Sequence, residues 1–185
     1  MALTTLDHQT ALIIIDLQHG IVRLPVVHEP QPVIDRCAQL ADGFRARQLP
    51  VVLVNVAGGA PGRNEQGSHS GELPADWATL VPEMKPQPGD ITVTKKTWGA
   101  FHNTALHEEL QKRGVTQVVV CGIATSIGVE STARQAYELG YNVTLATDAM
   151  TDLNLDTHNN SVKLIFPRLG ETGSAAEVLA LVDAR

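Results

Sequence analysis

A chain of 185 residues that is 43% hydrophobic has apolar material for one core and too little length for two, so a single domain over 1–185 is expected. Twenty acidic against 14 basic residues give a formal charge of -6, which opposes adhesion to nucleic acid or to an anionic membrane. Cys37 and Cys121 are too few for a secreted disulfide scaffold, and the reducing cytoplasm is the expected location.

The opening stretch, MALTTLDHQTALIIIDLQ, has no basic leader region, and its apolar run at 11–15 is too short for a signal sequence or a membrane span. That run, ALIII, is the first of five nearly continuous β-branched segments, followed by 50–56, 91–94, 117–121 and 142–147. Such segments read as parallel strands buried on both faces. Amphipathic stretches alternate with them, which predicts a three-layer α/β/α doubly wound fold with a mostly parallel sheet of about six strands. The sixth strand is placed near Leu169–Thr172.

After the first strand, Ile34, Cys37, Ala38, Ala41 and Phe44 recur at spacings of three and four, so Cys37 falls on the core face of a helix. The Gly- and Pro-rich segment 57–90 is too long for a connector and reads as an active-site lid or an oligomer contact, anchored by Trp77. A helix capped by Asn103 runs to Arg113, buries Leu106 and Leu110, and stops at Gly114. Another runs from a Ser126 cap to Leu139, with Ile127, Ala133, Ala136 and Leu139 toward the core and Gly140 in the left-handed position after it. The closing AAEVLALV helix offers further apolar surface, and a homo-oligomer is expected. No Rossmann glycine fingerprint or Walker loop follows any strand, so no nucleotide cofactor is expected.

In a sheet of this kind ligands collect where strands end. Asp16 and Gln18 follow the first strand, Lys95 and Lys96 the third, and Gly122 to Gly128 the fourth. Asp16 comes directly after three isoleucines, where burial raises a carboxyl pKa unless a cation such as Lys95 compensates; it also reads as a structural carboxylate capping a turn. Lys95 and Lys96 alone read equally as a solvated edge. Backbone N–H groups at 123–128 form either a site for a carboxylate or oxyanion, or an ordinary turn capped by Ser126.

Four blocks carry a more specific signal: IIIDLQ, VTKKTWGAFHNTAL, VVVCGIATSIGVESTARQAYELGYNVTLATDAMTD and FPRLGETGSAAEVLALV. In this order and spacing the chain resembles the isochorismatase-like hydrolase family over nearly its whole length. The resemblance implies an Asp–Lys–Cys triad whose aspartate falls on Asp16 and whose lysine falls on Lys95. The cysteine position falls on Gly128, because the family pattern of Gly, apolar, Ala, Thr, two variable residues, Cys and Val maps onto GIATSIGV. Amidohydrolases of the family need that thiolate to form an acyl-enzyme. Glycine has no nucleophile, and Cys121, on the preceding strand, is expected to point into packing. Where nicotinamidases carry an Asp-x-His metal motif this chain reads NVAGG, so no metal is expected, and the seven histidines show no ligand spacing.

Isochorismatases proper are similar to this chain in having glycine at that position. They cleave a vinyl ether without a covalent step, using a general acid, a water and groups that hold carboxylates. The resemblance therefore implies a metal-free hydrolase of a small carboxylated substrate with Asp16 as general acid. It implies substrate contacts from Gln18, Trp77, Trp98, Phe101, Ile123, Ala124, Thr125 and Ile127, and a non-proline cis peptide between Ile123 and Ala124. Lys95 lowers the pKa of Asp16 whereas an acid must be protonated, so burial has to outweigh it. The Thr-Ala-Gln-Pro segment of isochorismatases is replaced by Asn55-Val56-Ala57-Gly58, and a family arginine ahead of the lid tryptophan has no counterpart, Arg63 being wrongly spaced. Glycine at position 128 and the missing glutamine of that segment fit an alternative, a non-catalytic relative that binds a ligand or partner in the inherited cleft. A third reading makes Ser126 or Ser131 the nucleophile.

Overall fold

Six strands form one sheet in the computed structural model, which describes residues 3–65 and 73–184. They are β1 (Thr10–Ile15), β2 (Val51–Val56), β3 (Ile91–Lys95), β4 (Gln117–Ile123), β5 (Asn142–Thr151) and β6 (Glu171–Gly173). Their spatial order is β3-β2-β1-β4-β5-β6 and every pairing is parallel. The chain thus winds outward in one direction from β1 and in the other from β4. Connections leave these two strands on opposite sides, which opens a crevice at their carboxyl ends.

Alternate side chains of each central strand enter two different cores. Ala11, Ile13, Ile15, Val52, Val54, Val118 and Val120 pack beneath α3 (Leu106–Lys112), α4 (Glu130–Glu138) and α6 (Phe166–Leu169). Leu12, Ile14, Val51, Leu53, Val119 and Cys121 pack against α2 (Pro30–Ala46) and α7 (Ala175–Asp183). With both faces covered, polar residues cannot alternate with apolar ones, and that is why the central strand segments are continuously apolar; β3, at the edge of the sheet, differs from the expectation and alternates, with Thr92 and Thr94 exposed. Two short helices, α1 (His19–Val22) and α5 (Leu155–Asn160), sit beyond strand ends. Among the described residues no helix is long and apolar enough to cross a membrane.

Four boundaries differ from the sequence expectation, each for a local reason. Asn103 does not cap α3: it adopts φ 52 in the left-handed region, and the Leu106 N–H is received by the Thr104 hydroxyl, itself tied to Ala100 O at 2.6 Å. The helix expected from Ser126 begins as a π turn over Thr125–Val129 and becomes α4 only at Glu130. A π turn takes more residues per revolution than an α turn, which shifts the buried face. Ile127 is therefore half-buried and Leu139 is exposed, while Val129 and Thr132 are buried in the interior. β5 continues past Thr147 to Thr151, with a register shift opposite Val120 and Gly122 of β4. Phe166–Leu169 is helical, which moves β6 to Glu171–Gly173.

Part of the 57–90 segment, residues 66–72, lies outside the described residues. The remainder includes a 3-10 turn at Pro82–Met84 and an antiparallel bridge from Leu80 to Gln18. It is thereby fastened across the exit of β1.

Candidate active site

The ends of β1 and β3 lie on either side of β2, about two strand spacings or roughly 10 Å apart. The Lys95 and Asp16 side chains reach toward each other over β2 and close that distance with a hydrogen bond. Lys95 Nζ donates to Asp16 Oδ2 at 2.7 Å and to Thr97 O at 3.2 Å. Both partners are buried, with Lys95 2% and Asp16 4% exposed, so the ion pair is shielded from water. Asp16 itself has φ 52, a left-handed conformation that Asp tolerates better than most residues. Its N–H remains bonded to Val54 O at 2.9 Å, so the last ladder bond of β1 is kept while the side chain turns toward Lys95.

Burial is the larger influence on this carboxyl group. It pushes the Asp16 pKa from 3.8 up to about 6, against the lowering pull of the Lys95 charge and hydrogen bond. The conflict between a protonated acid and an adjacent cation is thus resolved in favour of burial. Asp16 Oδ1 is buried and has no hydrogen-bond partner among the described residues. The group therefore offers one oxygen fixed on an ammonium and one uncommitted, near the pKa at which a carboxyl can give or take a proton at neutral pH.

The wall opposite Lys95 is backbone. Gly122, with φ 114, lets β4 approach β1 so closely that a Cβ there would lie 2.2 Å from Ile15 O. Gly128 is the second close approach: its Cβ would stand 2.8 Å from Ile15 Cγ2 and 3.2 Å from Asp16 Oδ2. A side chain at 128 would thus start beside the carboxylate. The peptide joining Ile123 to Ala124 is cis, as the resemblance implied. Thr132 of α4 ties this turn to the loop after β3, donating to Gly128 O at 2.7 Å and accepting the Ala100 N–H at 3.1 Å.

The turn is less open to anions than a bare helix N-terminus. The Ser126 N–H donates to Asp152 Oδ2 at 2.6 Å, and the N–H groups of Ile127 and Val129 donate to Ala124 O at 3.2 and 3.1 Å. Ser126 is not a cap; a buried carboxylate, Asp152, takes the position where the helix dipole favours negative charge.

The residues singled out from sequence divide accordingly. Asp16, Lys95 and Gly128 are brought together. Gln18 is fully buried and spent on structure, accepting the Val56 N–H at 2.7 Å and donating to Val56 O at 3.0 Å and Trp77 O at 2.9 Å. Its amide pins the 57–90 segment to β2. Trp77 lies against Gly20, where a Cβ would be 2.3 Å from the indole, so it does anchor that segment. Trp98 is 63% exposed, while its carbonyl faces Gly128. Phe101 is not in the crevice: it stacks on Tyr141 in the α3–α4 core with centroids 5.9 Å apart. Ile123 likewise buries its side chain on the α2 face, and Ala124 packs at the edge of that core. Thr125 turns its hydroxyl to His158 Nδ1 at 2.8 Å, and Ile127 is half-buried. Cys37 and Cys121 face each other at 3.5 Å between Sγ atoms inside the α2 core, away from Asp16.

Asp152, His158, Thr97 and Thr132 were not anticipated. Thr132 carried a legible signal, standing one helical turn after Gly128; Asp152 was hidden by ending β5 too early. Among the described residues no group of three or more His, Cys, Asp or Glu is arranged to hold a metal ion.

The family model described as Isochorismatase domain matches residues 10–177. An uncharacterized isochorismatase family protein of Bacillus subtilis, YwoC, is 46% identical over 94% of both chains. The ureidoacrylate amidohydrolase RutB of Stutzerimonas stutzeri is 33% identical over 76% of this chain and 69% of its own. Among solved structures, an isochorismatase family protein of Burkholderia thailandensis superposes with a TM-score of 0.92 at 41% identity, over 97% of this chain and 98% of that one. Matched through nearly its full length in sequence, and along the same six-stranded framework, the chain belongs to the isochorismatase family of hydrolases.

Proposed function

We propose that this family member is a metal-free hydrolase of the isochorismatase type, acting on a small carboxylated molecule without a covalent intermediate. The observation that carries the reading is Asp16: a buried carboxyl group with a pKa near 6, one oxygen on Lys95 and the other unpartnered. On a vinyl ether, the protonated Asp16 transfers its proton to the terminal methylene carbon. Water adds to the resulting oxocarbenium carbon and returns a proton to Asp16. The hemiketal then breaks its C–O bond to give pyruvate and an alcohol. Lys95 stabilises the carboxylate left after the first transfer.

Amide hydrolysis of the kind named for the Stutzerimonas relative fits this chain less well. With the family cysteine position falling on Gly128 and both thiols inside the α2 core, no thiolate is available to form an acyl-enzyme. Ser131 lies on the α4 side of the Trp98 loop, where it lines a separate cavity. A non-catalytic role in the inherited cleft is favoured by one observation: at the exit of β2 the Asn55 amide donates to Ala78 O at 2.8 Å, serving the fold and not a ligand.

Purified protein assayed for pyruvate release from isochorismate decides between the two. Turnover that falls at least about a hundredfold in Asp16→Asn supports the general-acid reading. No turnover, or turnover indifferent to that substitution, rejects it.

A further inference from the structure

Asn154 caps α5 by accepting the Asp156 and Thr157 N–H groups at 2.7 and 3.3 Å, and one turn further on His158 meets the turn that follows β4. Its Nδ1 lies 2.8 Å from the Thr125 hydroxyl. A second histidine repeats the arrangement: His28 Nδ1 lies 2.9 Å from the Thr151 hydroxyl, and Thr151 Oγ1 also accepts the His28 N–H at 3.2 Å. The two rings stand edge to face with centroids 4.9 Å apart. Both line a cavity of about 270 Å³, His28 exposed and His158 half-buried, so protons from solvent reach them.

Hydrogen accounting gives these bonds a direction. Thr125 and Thr151 are fully buried. Thr151 Oγ1 already accepts a backbone N–H, and among the described residues its own hydrogen has His28 Nδ1 as its one acceptor. The Thr125 hydroxyl likewise has His158 Nδ1 as its one partner there. A lone pair left unused in the interior costs less than a hydroxyl hydrogen stripped of hydration, so each hydroxyl donates and each neutral imidazole accepts. Protonation takes both acceptors away and sets two cations side by side.

Burial, and after it the His28 charge, lower the His158 pKa from 6.5, against the raising pull of the Asp152 carboxylate. The folded chain thus prefers the neutral ring, whose contribution to stability is present above pH 6.5 and is lost as the pH falls through the lowered value. Nearby charges are matched or exposed. Arg36 Nε pairs with Asp148 Oδ2 at 3.3 Å, and Glu130 of α4 takes Arg134 at 2.9 Å and the Ser161 hydroxyl at 2.6 Å. Glu29, Asp156 and Lys163 are exposed, where solvent screens them.

We propose that His158 is a positioning residue: its neutral ring holds Thr125, and with it the turn that forms the backbone wall of the site, and its protonation releases that turn. The N–H groups of Ile127 and Val129 close the turn on Ala124 O, and Gly128 between them stands against Asp16. Release therefore loosens the crevice whichever substrate occupies it, and the role of His158 is independent of the vinyl-ether reading.

The test needs no turnover and compares wild type with His158→Asn, which offers an acceptor near the Nδ1 position and does not titrate, and with His158→Leu, which offers none. Amide hydrogen exchange is measured at about pH 7.5 and about pH 5, on either side of the ordinary histidine range, with the intrinsic pH dependence divided out and the β1 amides as reference. Relative to β1, wild-type protection at Ile127 and Val129 should fall about tenfold or more on acidification. It should change by less than about threefold in His158→Asn and should be low at both pH values in His158→Leu. Asp16→Asn should keep the wild-type fall. Long-range nitrogen–proton NMR spectra of wild type at the higher pH should show His158 Nδ1 without a proton. A protonated Nδ1 there overturns the proposal, as does equal wild-type protection at both pH values or wild-type protection in His158→Leu. A fall that persists in His158→Asn, or that disappears in Asp16→Asn, gives the response to another group and overturns it too.

Discussion

At the scale of single residues the site is a contest between burial and charge. Asp16 holds its proton more tightly folded than unfolded, since its pKa of about 6 lies above the ordinary 3.8. Its contribution to stability is therefore complete below about pH 3.8 and is lost as the pH rises through about 6. Lys95→Met removes the cation that holds the value down, so the carboxyl group is pushed higher still. Urea unfolding at pH 8 should show a loss of up to about 3–5 kcal/mol, because Asp16 must then either stay charged without a partner or take up a proton above its ordinary range. The same measurement at pH 5 should show a smaller loss, because the protonated acid needs no cation; an equal loss at both values would mean that Asp16 is not the group responsible. Gly128 is the other sensitive position. Gly128→Ala must displace Ile15 Cγ2, 2.8 Å from the new Cβ, inside a packed core. A cost of about 1–3 kcal/mol in chemical denaturation is expected from such overpacking.

Between elements, a hydroxyl does the joining. Thr132 is fully buried and connects α4, the Gly128 turn and the loop after β3 with two hydrogen bonds. Thr132→Val keeps the shape but leaves the Ala100 N–H and the Gly128 carbonyl without their partner. The expected cost is about 1–3 kcal/mol, with faster hydrogen exchange at the Ala100 amide, while Thr132→Ser should restore most of both. Unchanged exchange in Thr132→Val would remove this clamp from the account. The elements themselves were readable where the pattern was purely local: continuous apolar runs located five strands, and spacings of three and four located α2. The start of α4 was not, because in the π turn at Thr125–Val129 the Ser126 N–H is taken by Asp152, a residue just after β5 and far off in the chain.

For the whole molecule, the site is built at the junction where strand order reverses, and its parts come from the exits of β1, β3 and β4. If Asp16 acts as the acid, pyruvate release should decline as the pH rises above about 6, the value to which burial pushes its pKa. A profile rising through that range would assign the proton transfer to another group. Incubation with EDTA should leave the rate unchanged, as none of the steps proposed uses a metal; loss of activity restored by a divalent cation would contradict them. Composition, apolar periodicity and the four sequence blocks were sufficient to determine the layer architecture and to single out Asp16, Lys95 and Gly128, because burial on both faces of a parallel sheet and residue type at strand ends are properties of short segments. Tertiary structure alone decided that Gln18 and Phe101 serve the fold, that Asp152 occupies the turn and that the Thr97 hydroxyl is buried with no hydrogen-bond partner among the described residues. Those outcomes depend on which polar groups meet across elements distant in the chain, and such meetings are fixed only when the elements pack.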